Sequence, residues 1–187
     1  MSFFRNIAIK LFRLIKGPPL TDEQLSIRLI ERIRAGGGTV GTNVDILGSR
    51  IDMGEPYLLS IGDNVTITGV NILTHDASTK KCLGYSKVGK VHIGSDVFIG
   101  NGAIVLPDTT IGNKVIVGAG TVVAKDIPDN SVVVGNPLRI MCSYDEYMER
   151  MTACMKEYPV VDLLPSEIMQ DEESKRALQD AGFGFIR

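Results

Sequence analysis

The chain contains two histidines, His75 and His92, and few other groups that titrate near neutral pH. An imidazole can accept or release a proton under ordinary conditions, so each histidine is a candidate for acid–base chemistry. His75 lies in the stretch THDASTKKCLGYSKVGK, which interrupts a regular six-residue pattern, and His92 directly precedes the point where the pattern resumes. His75 is a candidate general base, with a structural turn histidine as the alternative. His92 is predicted to be a solvated or interface residue.

Three carboxylates near these interruptions could support such a base. Asp52 and Glu55 belong to DMGEPYLLS, a second interruption of the pattern, and Asp76 follows His75 directly. Each could orient an imidazole or bind the hydroxyls of an acceptor. An exposed turn carboxylate is the alternative for Glu55, and the residue types leave both interpretations open.

Composition indicates a globular chain of 187 residues, with 44% apolar and 22% charged residues and a net charge of -2. This balance provides no broad basic surface, so we expect no nucleic-acid partner. The three cysteines are far apart and form no CxxC spacing, which favours reduced thiols in a cytoplasmic protein over a disulfide framework or a zinc site. They are Cys82, Cys142 and Cys154.

The elements that must position these groups repeat every six residues. From Ile93 the chain runs IGSDVF, IGNGAI, VLPDTT, IGNKVI, VGAGTV and VAKDIP, and the same period appears after Val40 and after Ile61. A helix does not have this period, and each glycine inside a helix would cost about 1 kcal/mol. Short strands joined by tight turns, three to each coil of a parallel β-helix, fit the pattern.

Alternation within the hexads predicts which side chains enter the interior of this β-helix. The residue that opens a hexad and the one two before it should point inwards, and the one between them outwards. The second inward position holds Val97, Ala103, Thr109, Val115 and Thr121. The outward position holds Phe98, Ile104, Thr110, Ile116 and Val122. Most of the outward residues are apolar, which predicts an oligomer because contiguous exposed apolar residues usually mark an interface.

Helical segments are expected on both sides, dividing the chain into residues 1–36, 37–141 and 142–187. Residues 1–16 form a basic amphipathic pattern, interrupted by charges and therefore neither a signal peptide nor a membrane span. Such a helix can dock on protein or lie on an anionic membrane. A helix capped by Thr21 or Asp22 follows, and two C-terminal helices are predicted over residues 143–158 and 165–182. We expect Ser166 to cap the second of these and both to cover an open end of the β-helix.

The hexads, the TH pair and the segment VGAGTVVAKDIPDNSVVVGNPLRIM resemble the hexapeptide-repeat O-acetyltransferases. The closest patterns are those of maltose and galactoside, streptogramin and capsular polysaccharide acetyltransferases. The resemblance covers residues 40–141. It implies a mainly β fold, a left-handed parallel β-helix with α-helices at both ends, a homotrimer with sites between subunits, and acetyl-CoA as donor without a metal. The implied reaction is acetyl transfer to a hydroxyl of a sugar or a similar acceptor, from a small molecule to an oligosaccharide.

The resemblance also implies roles for particular residues. His75 matches the catalytic base beside an excursion loop, about residues 75–90. Glu55 matches an acidic residue that contacts the acceptor, with Tyr57 beside it, while Asp76 and Tyr85 are further acceptor-binding candidates. Matches to the family's coenzyme contacts are Asn101, Ala119, Ala124, Lys125 and Arg139. Cys142 stands where a second arginine is expected, which weakens the predicted phosphate clamp.

Other functions on this scaffold remain to be weighed. A γ-class carbonic anhydrase needs three histidine ligands, which two histidines cannot supply. A nucleotidyltransferase would need a separate sugar-nucleotide domain, for which the chain has no room. A non-catalytic binding or scaffold module and an N-acetyltransferase acting on an amino sugar stay as alternatives. The sequence predicts a cytoplasmic protein, with peripheral membrane contact through residues 1–16 left open.

Overall fold

The computed structural model describes residues 19–187, and its centre is a three-sided prism of parallel strands. Face 1 contains β1 (Thr39–Val40), β4 (Leu59–Ile61), β9 (Val91–Ile93) and β12 (Thr109–Ile111). Face 2 contains β2 (Val44–Leu47), β5 (Val65–Thr68), β10 (Val97–Ile99), β13 (Val115–Val117) and β15 (Ser131–Val134). Face 3 contains β3 (Arg50–Ile51), β6 (Asn71–Ile72), β11 (Ile104–Val105) and β14 (Val122–Val123).

The hexads stack in register, one coil above the next. On face 2, Val97 of β10 pairs with Val65 of the coil before and Val115 of the coil after. On face 3, Val105 pairs with Ile72 and Val123 in the same way. Equivalent positions of successive hexads therefore form continuous rows, as the six-residue period predicts.

The rows that point inwards form the hydrophobic core. The residues that open the hexads after Ile93 are fully buried, and the second inward position is also buried throughout. The two threonines in this row are compatible with burial because their hydroxyls are paired. Thr109 Oγ1 donates to the carbonyl of Leu106 at 2.7 Å, and Thr121 Oγ1 accepts from the Gly135 N–H at 3.0 Å. The outward residues are partly or fully exposed, with Phe98 at 42%, so the predicted alternation is confirmed.

Each corner of the prism has its own turn chemistry. At the corner between faces 1 and 2, a left-handed residue recurs in successive coils, including Asn43 (φ 51°) and Asn64 (φ 56°). Their side chains form a ladder, because Asn43 Nδ2 donates to Asn64 Oδ1 at 3.0 Å. Glycines with positive φ recur between faces 2 and 3, including Gly69 and Gly102. At the corner between faces 3 and 1, the chain leaves the prism twice, over residues 52–58 and 73–90.

Helix α1 (Asp22–Ala35) covers the first coil. Thr21 is its N-cap, and a capping box with Gln24 satisfies two backbone N–H groups. Ser26 is buried at 2% exposure, and its Oγ accepts from the Ile46 N–H at 2.8 Å. The helix therefore supplies both apolar cover and a hydrogen-bond acceptor to the edge strand β2, which has no earlier coil to pair with.

The C-terminal segment begins with β16 (Arg139–Cys142), which pairs antiparallel with β15. It continues through α3 (Tyr144–Cys154), β17 (Val160–Val161), α4 (Pro165–Ile168), α5 (Glu172–Ala181) and β18 (Phe185–Ile186). The second excursion from the prism, over residues 73–90, contains a short helix, α2 (Lys80–Leu83). β16 and the start of α3 cover the free edge of the last coil on face 2.

Three predictions for this segment were wrong. The helix predicted over 165–182 is two helices, because Asp171 begins a new one by accepting the Ser174 N–H with its side chain. Ser166 is not an N-cap, since it lies inside α4 after Pro165, and the Glu167 carboxylate accepts the N–H of the N-cap residue Leu164. The helix beginning after Ser143 ends at Cys154, four residues before the predicted end.

No helix between residues 19 and 187 is long and apolar enough to cross a membrane. The basic amphipathic helix predicted for residues 1–16 lies outside the described residues.

Candidate active site

Both excursions start from the same corner of the prism in consecutive coils, and this brings their first residues together. Ile51 of β3 pairs with Ile72 of β6, and the Asp52 N–H donates to the Ile72 carbonyl at 2.9 Å. The Thr74 N–H in turn donates to Asp52 Oδ2 at 3.3 Å. The stacking register therefore places Asp52 directly against the beginning of the second excursion, where His75 follows.

The imidazole of His75 is held by Asp52. His75 Nδ1 donates a hydrogen bond to Asp52 Oδ2, so Nδ1 carries the proton and the carboxylate accepts it. The other ring nitrogen, Nε2, then has its lone pair free, which is the tautomer required of a base. The Asp52 side chain is 9% exposed and the His75 side chain 42% exposed. A buried carboxylate thus fixes the ring, while the His75 side chain as a whole is half-exposed.

Asp52 stays ionised in this position. Burial raises the pKa of its carboxyl, but hydrogen bonds from the Gly54 N–H, the His75 ring and the Thr74 N–H together lower the pKa below its ordinary value. A carboxylate that remains charged can orient the imidazole and stabilise the imidazolium that forms when His75 takes up a proton.

Glu55 is the second carboxylate beside the ring. Its Oε2 lies 3.3 Å from His75 Nδ1 and is buried, yet it has no hydrogen-bond donor in the part of the chain that the structure describes. The single proton on His75 Nδ1 is already donated to Asp52, so Glu55 receives no hydrogen bond from Nδ1 although it lies nearby. Asp52, Glu55 and His75 each offer a ligand atom within 4.8 Å of the others, so these three groups could also hold a divalent cation.

The second excursion folds back as a hairpin. Strands β7 (His75–Asp76) and β8 (Lys87–Val88) pair antiparallel, with His75 opposite Val88 and Asp76 opposite Lys87. Lys87 Nζ lies 2.7 Å from Asp76 Oδ2, and this hydrogen bond, with a further one from the Ser78 N–H, lowers the pKa of Asp76 to about 2. Asp76 therefore secures the base of the hairpin, and its carboxylate pairs with Lys87 whereas His75 Nδ1 pairs with Asp52.

A cleft of about 450 Å³ runs along the same corner. The hairpin forms one side of it, and the next two coils form the other. Its lining residues are Asp76, Lys87, Val88, Leu106, Pro107, Asp108 and Ala124. The sequence did not identify the Leu106–Asp108 corner as part of a site, although a proline within a hexad was an available signal.

The two tyrosines considered for acceptor binding lie in different places. Tyr85 is 80% exposed near the tip of the excursion, where its carbonyl accepts the Thr79 hydroxyl at 2.8 Å. Tyr57 is exposed in the first excursion, beside the backbone of Gly37. Tyr85 can reach an acceptor that lies along the hairpin, whereas Tyr57 packs towards the end of α1.

The coenzyme candidates divide between two corners of the prism. Asn101, Ala119 and Arg139 follow the corner between faces 2 and 3 through successive coils, and Asn101 packs against Gly69 of the coil before. Ala124 and Lys125 lie in the turn between faces 3 and 1, on the same corner as His75. Face 3 separates these two groups by about five residues of chain, or roughly 15 Å.

His92 lies away from these groups on the outer side of face 1. It pairs with Ser60 and Thr110 of the neighbouring coils, and its Nδ1 is 2.8 Å from the Ser60 hydroxyl. On the sequence alone, Asp52 is only an alternative to Glu55 as the partner of His75. Asp52 directly follows the last strand residue before an interruption, and this position was the available signal that it orients His75.

Comparison with known proteins gives consistent matches. Residues 90–125 match the family described as bacterial transferase hexapeptide (six repeats). Over 124 residues the chain is 44% identical to Protein CapG of Staphylococcus aureus, covering 63% of this chain and 72% of CapG. It is 41% identical over 102 residues to the putative acetyltransferase YvoF of Bacillus subtilis strain 168, covering 54% of this chain and only 56% of YvoF.

A solved structure agrees with the sequence matches. A hexapeptide-repeat acetyltransferase from Vibrio cholerae O1 biovar eltor, complexed with acetyl coenzyme A, is 27% identical, with a TM-score of 0.52. The match covers 58% of this chain and 61% of that one. The predicted left-handed parallel β-helix with flanking helices is confirmed. With its stacked hexads and its match to most of CapG, the chain belongs to the bacterial hexapeptide transferase family.

Proposed function

We propose that the protein transfers the acetyl group of acetyl-CoA to a hydroxyl of a sugar or another hydroxylated acceptor, with His75 as general base. The observation that carries this proposal is the His75–Asp52 pair, which lies at the same corner of the prism as the cleft. Its hydrogen bond engages Nδ1, which leaves Nε2 as the acceptor nitrogen of a half-exposed ring. A neutral hydroxyl is a poor nucleophile, so a base in this position addresses the chemical difficulty of the reaction.

The residues of the chain account for the movement of the proton. As the acceptor oxygen attacks the thioester carbonyl, His75 Nε2 takes the hydroxyl proton, and Asp52 stabilises the resulting imidazolium. The new carbon–oxygen bond replaces the carbon–sulfur bond, and His75 returns the proton to the departing sulfur. The products are an acetyl ester, free coenzyme A and a neutral His75 ready for another cycle.

The coenzyme candidates have chemistry that suits a long phosphorylated thioester. Ala119 and Gly120 are exposed, and a Cβ added to Gly120 would have nothing within 4 Å. A narrow chain such as pantetheine can therefore lie close to the backbone there. Lys125 and Arg139 are exposed cations suited to phosphate groups. Acetyl-CoA supplies an activated acetyl group when it is bound.

A homotrimer would unite the two halves of this site. In one chain, Asn101, Ala119 and Arg139 stand across face 3 from His75. A neighbouring copy can bring its own corner to the other side of the His75 cleft. Burial of outward apolar residues would favour association of faces 2 and 3 with neighbouring copies. These residues are Phe98, Ile104, Ile116 and Val122. The homotrimer with shared sites is therefore part of the proposal.

Two alternatives differ in what they predict. A scaffold module would bind no coenzyme, and nothing in that role requires an imidazole oriented by a buried carboxylate. An N-acetyltransferase would need a deprotonated amine, and its preference would appear in a panel that pairs amino sugars with their hydroxyl counterparts. We place the reaction in the cytoplasm, in keeping with three cysteines that are not joined in disulfides.

The proposal is tested by thiol release from acetyl-CoA with a panel of sugars and oligosaccharides. We expect His75→Ala to lower kcat by about two to four orders of magnitude, the range for loss of a general base. His92→Ala is the matched control, since His92 lies on face 1, and it should leave kcat unchanged. Acceptor-dependent release that His75→Ala leaves intact would contradict the assigned role. No release and no coenzyme binding by the wild type would favour a scaffold.

A further inference from the structure

The second excursion has an unusual charge for this protein. Residues 73–90 contain four lysines, Lys80, Lys81, Lys87 and Lys90, against one carboxylate, Asp76, giving a net charge of +3 in a chain of net charge -2. All four lysines are exposed. Positive charge is thus concentrated in the segment that leaves the prism beside His75.

Most of this charge is not neutralised within the molecule. Asp76 pairs with Lys87, but Lys80, Lys81 and Lys90 have no carboxylate oxygen within 4.0 Å among residues 19–187. An unpaired ammonium group on a surface attracts an anion that approaches it, and several close together reinforce one another. The arrangement is suited to a ligand that carries more than one negative charge.

The hairpin places this charge within reach of the reacting group. Lys87 is opposite Asp76, the residue after His75, and α2 displays Lys80 and Lys81 on the distal part of the same excursion. Tyr85 is exposed near these lysines, and an aromatic ring can stack on a sugar ring. A ligand lying along the excursion would therefore meet lysines, then an aromatic ring, then the cleft beside His75.

We infer that residues 73–90, here named the lysine arm, bind an acidic saccharide and present one of its hydroxyls to His75. The inference rests on the proposed function, because it specifies the chemical class of the acceptor. The opposing charges facing the arm are Asp76, which Lys87 neutralises, and Asp108 across the cleft. The arm would therefore hold the carboxylates of the ligand along its outer surface, away from Asp108.

The test measures binding without any acetyl donor, so its result does not depend on catalysis. Trigalacturonate is the acidic probe and maltotriose its neutral counterpart of the same size, both titrated calorimetrically into the full chain. The variant Lys80→Gln/Lys81→Gln removes two charges from the arm. Lys156→Gln/Arg176→Gln removes two exposed charges from the C-terminal segment, and Lys80→Arg/Lys81→Arg preserves the charge of the arm.

We expect the arm variant to bind trigalacturonate about five- to tenfold more weakly, the effect of losing two exposed charge contacts. The C-terminal variant and the arginine variant should bind trigalacturonate with the affinity of the wild type. The affinity for maltotriose should be the same for the wild type and all three variants. Raising the salt concentration from about 0.05 to about 0.5 M should weaken trigalacturonate binding to the wild type, because exposed charges are screened.

Two results would overturn the inference. One is equal affinity of the wild type and the arm variant for trigalacturonate, including the case where neither binds it. The other is an arm variant that weakens coenzyme A binding instead, which would assign the lysines to the phosphates of the donor. Trigalacturonate binding that depends on the arm, in a protein that releases no thiol from acetyl-CoA, would contradict the proposed reaction and leave the binding inference standing.

Discussion

At the scale of single residues, the site depends on which carboxylate governs His75. Asp52 accepts the hydrogen bond from Nδ1, while Glu55 lies 3.3 Å from the same nitrogen without forming one. The sequence places both carboxylates in one interruption of the repeats but does not show which of them accepts the hydrogen bond from His75. That distinction depends on a contact across 23 residues of chain, set by the register of two coils.

We predict that Asp52→Asn is far more damaging than Glu55→Gln. An asparagine can donate to Nδ1 and so stabilise the wrong tautomer, and kcat should fall about 100-fold. Glu55→Gln should lower kcat less than about tenfold, because no hydrogen bond to the ring is lost. The KM for acetyl-CoA should be unchanged in both variants, and thermal unfolding should show that both fold. A larger loss of kcat in Glu55→Gln would transfer the positioning role to Glu55.

At the scale of elements, the repeats were predictable and the excursions were not. Every coil presents the same environment to equivalent positions, so the same residue type recurs in a row such as Val65, Val97 and Val115. The six-residue pattern in the sequence is therefore enough to predict which residues stack. Residues 52–58 and 73–90 have no repeating environment, and their conformations depend on contacts with neighbouring coils. The Gly89 position illustrates this, since an added Cβ would lie 2.5 Å from the backbone nitrogen of Asp108.

The same reasoning explains the errors in the C-terminal segment. Ser166 has the right residue type for an N-cap, but Pro165 is favourable at the first position of a helix and moves the cap to Leu164. The carboxylate of Glu167 then accepts a hydrogen bond from the backbone N–H of Leu164. Residue preferences identified helices here, and hydrogen bonds between particular side chains decided where they begin.

The contact between α1 and the first coil provides a prediction about stability. Ser26→Ala removes the acceptor for the buried Ile46 N–H, so the free energy of unfolding should fall by about 1–3 kcal/mol. Ser166→Ala is the control, because Ser166 is exposed and does not cap α4, and its effect should be below about 0.5 kcal/mol. Urea unfolding measures both. Equal effects of the two substitutions would show that Ser26 contributes no more than an exposed serine.

At the scale of the whole molecule, the prism separates groups that the proposed reaction must bring together. His75 and Lys125 occupy one edge of face 3, whereas Ala119 and Arg139 occupy the other. A rigid β-helix cannot fold one edge onto the other, since its coils are stacked through continuous parallel hydrogen bonds. The proposed closed trimer would solve this problem by symmetry, because each interface would join different edges of two identical subunits.

This arrangement predicts recovery of activity from two inactive variants. His75→Ala removes the base, and Ala119→Trp blocks the opposite corner with a bulky side chain at an exposed position. Each homotrimer should be inactive. Trimers that contain both chains should regain about a third of the wild-type activity, because one of their three interfaces combines an intact His75 with an intact Ala119 from a neighbour.

The measurement is thiol release by the co-expressed variants, each carrying a different affinity tag so that mixed assemblies can be purified through both. Light scattering should give a mass three times that of the 20.3 kDa chain. The two variants purified separately and mixed without subunit exchange are the control, and they should remain inactive. Mixed trimers without activity would place His75 and Ala119 in the same chain's site. In that case a bound acetyl-CoA would be long enough to span face 3 within one chain. Trimer formation would then stabilise the site without contributing residues to it.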